Sequence, residues 1–237
     1  MISIIIPSLN EEKYLPRLLE SIRQQIFDEK YETIVADAGS EDKTAIIAAD
    51  FGCKITDGGD LPAKGKNSGV KIATGDIILF ADADTVLPAD FLEKATKEFR
   101  QRNLGVASFY IKPNDKKYNF LYKILFNIPS RITEKFFPQA MNVIMIKKDI
   151  HEKIGGFNGA IRLGEELDYI RRGEKIGRFG VISSVVPYIS ARRFERDGWI
   201  KTWSKYFLCQ LYMIFFGPVT SDIFKYKFNH YSQERKN

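Results

Sequence analysis

Short apolar runs alternate with amphipathic stretches along the first half of the chain. Ile2 to Ile6 is almost continuously apolar, as expected of a strand covered on both faces. Leu15, Leu18, Leu19, Ile22 and Ile26 then recur at intervals of three and four, which predicts a helix that tolerates Pro16 in its first turn. The alternation continues with predicted strands at Tyr31 to Ala36, Cys53 to Thr56, Ile77 to Ala81 and Gly105 to Ile111. Between them fall predicted helices at Thr44 to Asp50, Lys66 to Ala73 and Pro88 to Arg102. This order implies an α/β fold with a mostly parallel sheet and helices on both faces.

The second half is less regular. Tyr118 to Pro138 is aromatic and apolar, broken by Pro129 and by basic residues. Asn142 to Ile146 and Phe179 to Val186 read as strands, and Glu165 to Ile176 as a helix. Trp199 to Phe228 is rich in aromatics and lysine. No repeat or long linker divides the chain. We therefore expect one domain over residues 1–197, followed by an aromatic-rich helical segment over residues 198–237.

Composition narrows the function classes. The chain has 237 residues, 44% of them hydrophobic, enough for one well-buried domain. Its start reads as a strand rather than a signal peptide, and no run of about 18 apolar residues predicts a membrane-spanning helix. Cys53 and Cys209 are too far apart in sequence to suggest a disulfide framework, which fits a cytosolic setting. With only His151 and His230, a histidine-rich zinc site is not expected. The net charge of +6 admits nucleic acid, anionic lipid or a phosphate-bearing small molecule. No nucleic-acid-binding motif accompanies it, so nucleic acid is not an expected partner.

The chemistry concentrates at predicted strand ends. Asp82-Ala83-Asp84 closes the run Ile77 to Ala81, where open α/β sheets place ligands. If the backbone stays extended, both carboxylates face one site. Paired carboxylates without nearby Cys or His favour a hard cation such as Mg²⁺ or Mn²⁺, bound together with substrate phosphates. Pro7-Ser8-Leu9-Asn10-Glu11-Glu12 follows the first strand, and Asp37-Ala38-Gly39-Ser40-Glu41-Asp42-Lys43-Thr44 the second. Asn10, Ser40, Asp42 and Thr85 could serve as caps or turn formers, and that reading suits Ser40 and Asp42. Asp37, directly at a strand terminus beside two similar ones, suits a ligand role.

Taken with Lys66-Asn67-Ser68-Gly69 and Gly75-Asp76, these segments resemble the large inverting family-2 glycosyltransferases, which have the GT-A fold. The resemblance runs from about residue 2 to 195. It implies that Pro7, Asn10 and Glu11 line a nucleotide pocket and that Asp37 holds the base or ribose. It places Lys66 near the base or diphosphate, and Asp82 on the ribose or a metal-bound water. Asp84 would bind Mg²⁺ or Mn²⁺ bridging the diphosphate of a nucleoside-diphosphate sugar.

An inverting transfer also needs a base, and the candidate segment is Gly164-Glu165-Glu166-Leu167-Asp168. The family usually has Asp where Glu166 stands, so Glu166 leads, with Glu165 and Asp168 as neighbouring candidates. The same acids could simply stabilise a helix N-terminus. Gly155-Gly156-Phe157 fits the family's turn before this segment. Arg192 and Arg193 suit a phosphate contact, with a basic surface loop as the alternative. The segment lacks the full Gln-x-x-Arg-Trp form, which argues for a non-processive enzyme.

Two stripes have the composition of interfacial helices. Phe120, Leu121, Ile124, Leu125 and Ile128 lie among Lys116, Lys117, Lys123 and Arg131. Trp199, Trp203, Tyr206, Phe207, Leu211, Phe215 and Phe216 lie among Lys201, Lys205, Lys225 and Lys227. Core packing or a dimer contact is the alternative. A shared face would suggest a lipid-linked acceptor, rather than a soluble glycan, and peripheral attachment to the cytoplasmic membrane face. Two other functions fit less of the sequence. A nucleotidyltransferase would carry a glycine-rich basic signature near the first strand, and a non-catalytic sugar-nucleotide-binding scaffold would not need Asp82, Asp84 and Glu166.

Overall fold

The computed structural model describes residues 1–134, 136, 138–139 and 141–224. Among them the apolar runs assemble a seven-stranded sheet. β1 (Ile2–Ser8), α1 (Leu15–Arg23), β2 (Tyr31–Asp37), α2 (Thr44–Asp50), β3 (Lys54–Asp57), α3 (Pro62–Ile72) and β4 (Ile77–Ala81) form its parallel half. β1 lies between β2 and β4, with Ile5 opposite both Ile34 and Phe80, and β3 borders β2. The chain continues through β5 (Thr85–Val86), α4 (Phe91–Gln101), β6 (Val106–Phe109), β7 (Lys112–Pro113), α5 (Asn119–Tyr122) and α6 (Ile128–Thr133). It then forms β8 (Val143–Lys147), α7 (Lys148–Lys153), α8 (Glu165–Glu174), β9 (Phe179–Ile182), β10 (Tyr188–Ile189), α9 (Arg192–Asp197) and α10 (Trp199–Phe215).

The unbroken apolar character of β1 has the expected cause. Ile2, Ile4 and Ile6 pack with Leu15, Leu18 and Ile22 of α1 and with Phe91 and Phe99 of α4. Ile5 faces the other way, onto Ala63 and Val70 of α3 and Tyr169 and Ile170 of α8. Each such side chain contributes about 1.5–3 kcal/mol of burial, so both faces hold the central strand in register.

Several bounds differ from the sequence reading. α3 starts at Pro62 rather than Lys66, because Pro opens a helix readily and Gly65 and Gly69 sit inside it. A Cβ at Gly69 would come 2.4 Å from Ile5 Cγ2, so glycine is what lets the helix lie flush on the sheet. The predicted strand from Gly105 is confined to β6, with β7 following just beyond its predicted end at Ile111, and the one from Phe179 ends at Ile182. β8 runs antiparallel to both β4 and β6, so the sheet is mostly, not wholly, parallel. α1 ends at Arg23, leaving Ile26 outside it and exposed. A 3₁₀ turn (Lys116–Tyr118) and a π turn (Lys123–Asn127) flank α5, and Pro129 is accommodated in the first turn of α6.

A second, three-stranded sheet pairs β10 with β5 and β7. It fastens the residues after Asp84 to those just before Arg192. α10 closes the far side, where Cys209 and Met213 pack with Leu163 and Leu167 around the start of α8.

Candidate active site

The neighbouring parallel strands β2, β1 and β4 release their loops along one edge of the sheet. Pro7 still belongs to β1, opposite Ala36. The loop beyond it is laced to the loop after β2. Ser40 donates through Oγ to Asp37 Oδ1 at 2.5 Å and through its N–H to Oδ2 at 3.1 Å. The Asn10 N–H donates to Ser40 Oγ at 2.9 Å, and Asn10 Oδ1 accepts from the Glu41 N–H at 2.8 Å. Asn10 itself adopts φ +54°, a left-handed conformation that asparagine tolerates well. Asp42 accepts from the Thr44 N–H at 2.9 Å, the turn-forming role expected of it. The Glu11 N–H is held by Thr44 Oγ1 at 2.8 Å.

Asp82 and Asp84 do not sit on an extended strand. The Thr85 N–H donates to the Asp82 carbonyl at 3.0 Å, so the chain turns after Ala81 and Ala83 is buried within the turn. The two carboxylates consequently meet different partners. Asp82 Oδ2 accepts from Asn142 Nδ2 at 2.7 Å. Burial raises the Asp82 carboxyl above its usual range, Lys66 opposes that, and Glu166 and Asp84 reinforce it.

Asp84 Oδ2 lies 2.9 Å from Nε of Arg192, whose two terminal nitrogens grip Glu11 at 2.7 and 2.8 Å. The guanidinium also stacks on Tyr14, 4.3 Å from the ring centroid. Burial would weaken the charge on Arg192, but Asp84 and Glu11 outweigh it. Burial pushes Glu11 up against the pull of Arg192. Asp84, Arg192 and Tyr14 border a cleft of about 190 Å³ that Arg17 and Asn114 also line.

On the other side, α3 and α8 bring Lys66 to the acidic segment. Lys66 is enclosed, its Nζ 2.5 Å from Glu166 Oε1, 3.4 Å from Glu165 Oε1 and 5.0 Å from the centroid of Phe157. Burial would lower the lysine, yet Glu166 and Glu165 hold it well above its usual range. Burial and the adjacent Glu166 push Glu165 up. Burial acts on Glu166 the same way, but Lys66 outweighs it and draws that carboxyl down.

Asp168 pairs instead with Arg172, through Nε and Nη2 at 2.8 Å each, and Arg172 donates onward to the Ile154 and Gly156 carbonyls. Asp168 thus braces the Gly155-Gly156 turn. Arg193 points to α10, its Nη1 2.6 Å from the Tyr206 hydroxyl. Gly164 precedes α8 at φ +80°, where a Cβ would press to 2.7 Å of Met213 Cε.

The structure therefore gathers Glu11, Asp82, Asp84, Arg192, Lys66, Glu165 and Glu166 into one connected field. Asp37 and Asn10 shape its rim. Sequence reading passed over Tyr14 and Asn142 and took Tyr206 only as part of an apolar stripe. No local pattern marks them, because each acquires its partner through tertiary packing.

The family model described as Glycosyl transferase family 2 matches residues 3–163. The chain belongs to this family. The matched region of this family-2 chain holds Glu11, Asp37, Lys66, Asp82 and Asp84, and it stops just short of α8, so Glu165, Glu166, Asp168, Arg192 and Arg193 lie beyond it.

Among its relatives is the uncharacterized glycosyltransferase YfnE of Bacillus subtilis, 34% identical over 129 residues that cover 51% of this chain and 32% of YfnE. Another is the 4,4'-diaponeurosporenoate glycosyltransferase of Staphylococcus haemolyticus, 38% identical over 132 residues that cover 52% of this chain and 33% of that protein. The match thus spans about a third of each relative's length. Among solved structures, the mannosyltransferase PcManGT of Pyrobaculum calidifontis, in complex with GDP-Man and Mn²⁺, superposes with a TM-score of 0.71 at 21% identity. The superposition covers 90% of this chain and 63% of PcManGT, and shows the shared GT-A fold.

Proposed function

We propose that this family-2 glycosyltransferase moves a sugar, with inversion, from a nucleoside-diphosphate sugar to a hydroxyl on a lipid-linked or glycan acceptor, without processive elongation. The supporting observation is the continuous run of charges from Glu11 and Arg192 through Asp84 and Asp82 to Lys66 and Glu166. It has acidic and basic groups suited to a diphosphate at one end and a carboxylate held ionised at the other.

In this reading Pro7, Asn10, Glu11 and Asp37 border the nucleoside and Arg192 stands on the diphosphate side, while Arg193 would have to leave Tyr206 to join it. Glu166 takes the proton of the acceptor hydroxyl as its oxygen attacks the anomeric carbon, and the bond from that carbon to the diphosphate breaks on the opposite face. Glu165 and Asp168 are the neighbouring acids. Lys66 holds Glu166 in its ionised form.

Among the described residues, no cluster of three or more His, Cys, Asp or Glu side chains is placed to hold a metal alone. In this reading Mg²⁺ or Mn²⁺ would be held by one or two carboxylates plus substrate phosphates, with Asp84 as ligand and Asp82 beside it. Such a cation, when bound, would stabilise charge on the departing diphosphate. PcManGT, solved with GDP-Man and Mn²⁺, supports the donor class and the metal. The acceptor would be met at the cytoplasmic face of a membrane, to which the segment 198–237 would attach peripherally.

A thermal-shift screen of nucleoside diphosphates and nucleotide sugars tests this. One nucleotide should raise the melting temperature further with Mn²⁺ than without, and Asp84→Ala should lose the Mn²⁺ increment. A response identical in wild type and Asp84→Ala would remove Asp84 as the metal ligand.

A further inference from the structure

Phe120, Ile124, Ile128, Ile132 and Phe136 recur at intervals of four and are all exposed, the first by 71% and the last by 88%. The π turn within this run takes up part of the phase drift that four-residue spacing accumulates on a 3.6-residue helix. α10 carries a second bare stripe of Ile200, Phe207, Leu208 and Phe215, which Phe216 extends just past its end.

The inner sides of these two runs are fused. The rings of Tyr118 and Tyr122 lie 4.9 and 5.8 Å from that of Trp199, Phe126 lies 5.9 Å from Phe194 of α9, which stacks on Trp199 at 4.2 Å, and Gln210 Nε2 donates to Gln139 Oε1 at 2.8 Å. The bare stripes therefore belong to adjacent elements, while Tyr122, Cys209 and Met213 are the part of the aromatic-apolar composition that went into the core. Core packing, the alternative given for these segments, thus holds for their inner face, and the outer face stays bare.

Charge identifies what covers the outer face. Lys116, Lys123 and Arg131 are exposed along the first run and Lys201 at the start of the second. Residues 199–215 contain no carboxylate, and residues 116–134 contain only Glu134, which is committed to Arg102. Lys225 and Lys227, expected to extend the second flank, lie outside the described residues. Contiguous exposed apolar surface of this kind marks an interaction site. A two-fold contact with a second copy would set the same basic patch against itself. An anionic surface meets both the apolar and the basic side chains.

We infer that the face formed by residues 116–134, Phe136 and α10 docks in the plane of an anionic lipid surface, with the aromatic and aliphatic side chains inserted and the basic ones at the lipid phosphates. No helix among the described residues is long and apolar enough to cross a membrane, so the contact lies in the interface. The inference deepens the proposed glycosyl transfer and rests on it for its purpose. The inner side of α10 packs at the start of α8, so a lipid-borne acceptor would travel along the docked helix to Glu166.

The test is co-sedimentation of the full chain with vesicles of phosphatidylcholine and phosphatidylglycerol in equal parts, against vesicles of phosphatidylcholine alone. Binding should favour the anionic vesicles. Phe120→Ser combined with Ile132→Ser should weaken it at least about tenfold, and Lys123→Ala and Lys201→Ala about fivefold each. All these side chains are exposed, so the variants should fold, and their nucleotide-dependent thermal shift should match wild type.

Absence of vesicle binding by wild type would overturn the inference, as would equal binding to both vesicle types. So would a wild-type dimer that the Phe120 and Ile132 substitutions dissociate, which would assign the face to a second copy. Vesicle binding without any nucleotide response would leave the docking face standing and remove the proposed transfer.

Discussion

A lysine with almost no exposed surface must be paired, and Lys66 meets two carboxylates at once. One cation between Glu165 and Glu166 neutralises only part of their charge, so one acid retains its proton more readily and the other stays ionised. Burial and like charge make Glu165 the protonated member, and the 2.5 Å contact with Lys66 makes Glu166 the ionised one. A general base works only when ionised, so Glu166→Gln should retain donor binding and lose about 10²–10⁴-fold in transfer rate. Full activity in that variant would move the base to Glu165 or Asp168. Lys66→Met should act differently. Without the lysine, burial prevails and the Glu166 carboxyl rises, so the acid limb of kcat/KM should move to higher pH, with Lys66→Arg restoring it in part. An unchanged pH profile with a much larger donor KM would instead place Lys66 on the nucleotide. The motif Lys66-Asn67-Ser68-Gly69 was readable in the sequence, but its partner was not. Lys66 and Glu166 are one hundred positions apart, and a four-carbon side chain carries no sign of the direction in which it reaches.

The elements themselves were largely legible because both faces of the sheet are covered. A strand buried twice has to be apolar throughout, and β1 and β4 read that way. Direction was not legible: Val143 to Ile146 has the same composition whether it runs with β4 or, as it does, against it. Nor was the start of α3: Gly65 lies before the predicted start at Lys66, and the need for glycine at Gly69, inside the predicted helix, shows only once Ile5 is known to press on it. At the edge of the sheet away from the site, β1, β2, β3 and the turn into β4 share one anchor. Glu32 accepts from Ser3 Oγ at 2.6 Å and from the Thr74 N–H at 2.6 Å, and pairs with Lys54 Nζ at 2.6 Å. Burial would raise its carboxyl, but these partners outweigh that and bring it down to about 2. A carboxyl held below its unfolded value adds stability above that value, and the gain disappears as pH falls toward the folded one. Glu32→Gln should therefore cost about 2 kcal/mol near neutral pH, with the difference from wild type shrinking between about pH 5 and pH 2. Denaturant melts across that range would measure it, and a pH-independent difference would mean that the hydrogen bonds rather than the charge carry the anchor.

Across the whole molecule, the longest connection in the site joins the first loop to the end of the chain's second half. Arg192 follows β10, Asp84 precedes β5, and those strands pair, while Glu11 comes from the loop after β1. The arginine was recognisable as a cation at a strand end, but not as the closure of the fold, because its partners are fixed by a two-residue strand pairing too short to leave a periodic signal. The side chains of Arg192, Glu11 and Asp84 are only 17%, 15% and 11% exposed. Removing the cation from such a set leaves two enclosed carboxylates facing each other, a more damaging change than losing an exposed ion pair such as Lys94–Asp90. Arg192→Met should lower the unfolding free energy by about 3 kcal/mol in the absence of ligand. Hydrogen exchange should show the loss of protection concentrated in α9 and α10, which are tethered to the first loop through this residue. Because the bridge is largely enclosed, added salt should leave the deficit nearly intact, whereas a surface attraction would be screened away. A deficit that vanishes in salt would mean that Arg192 acts at the surface and that α10 is held by its other contacts rather than by this bridge.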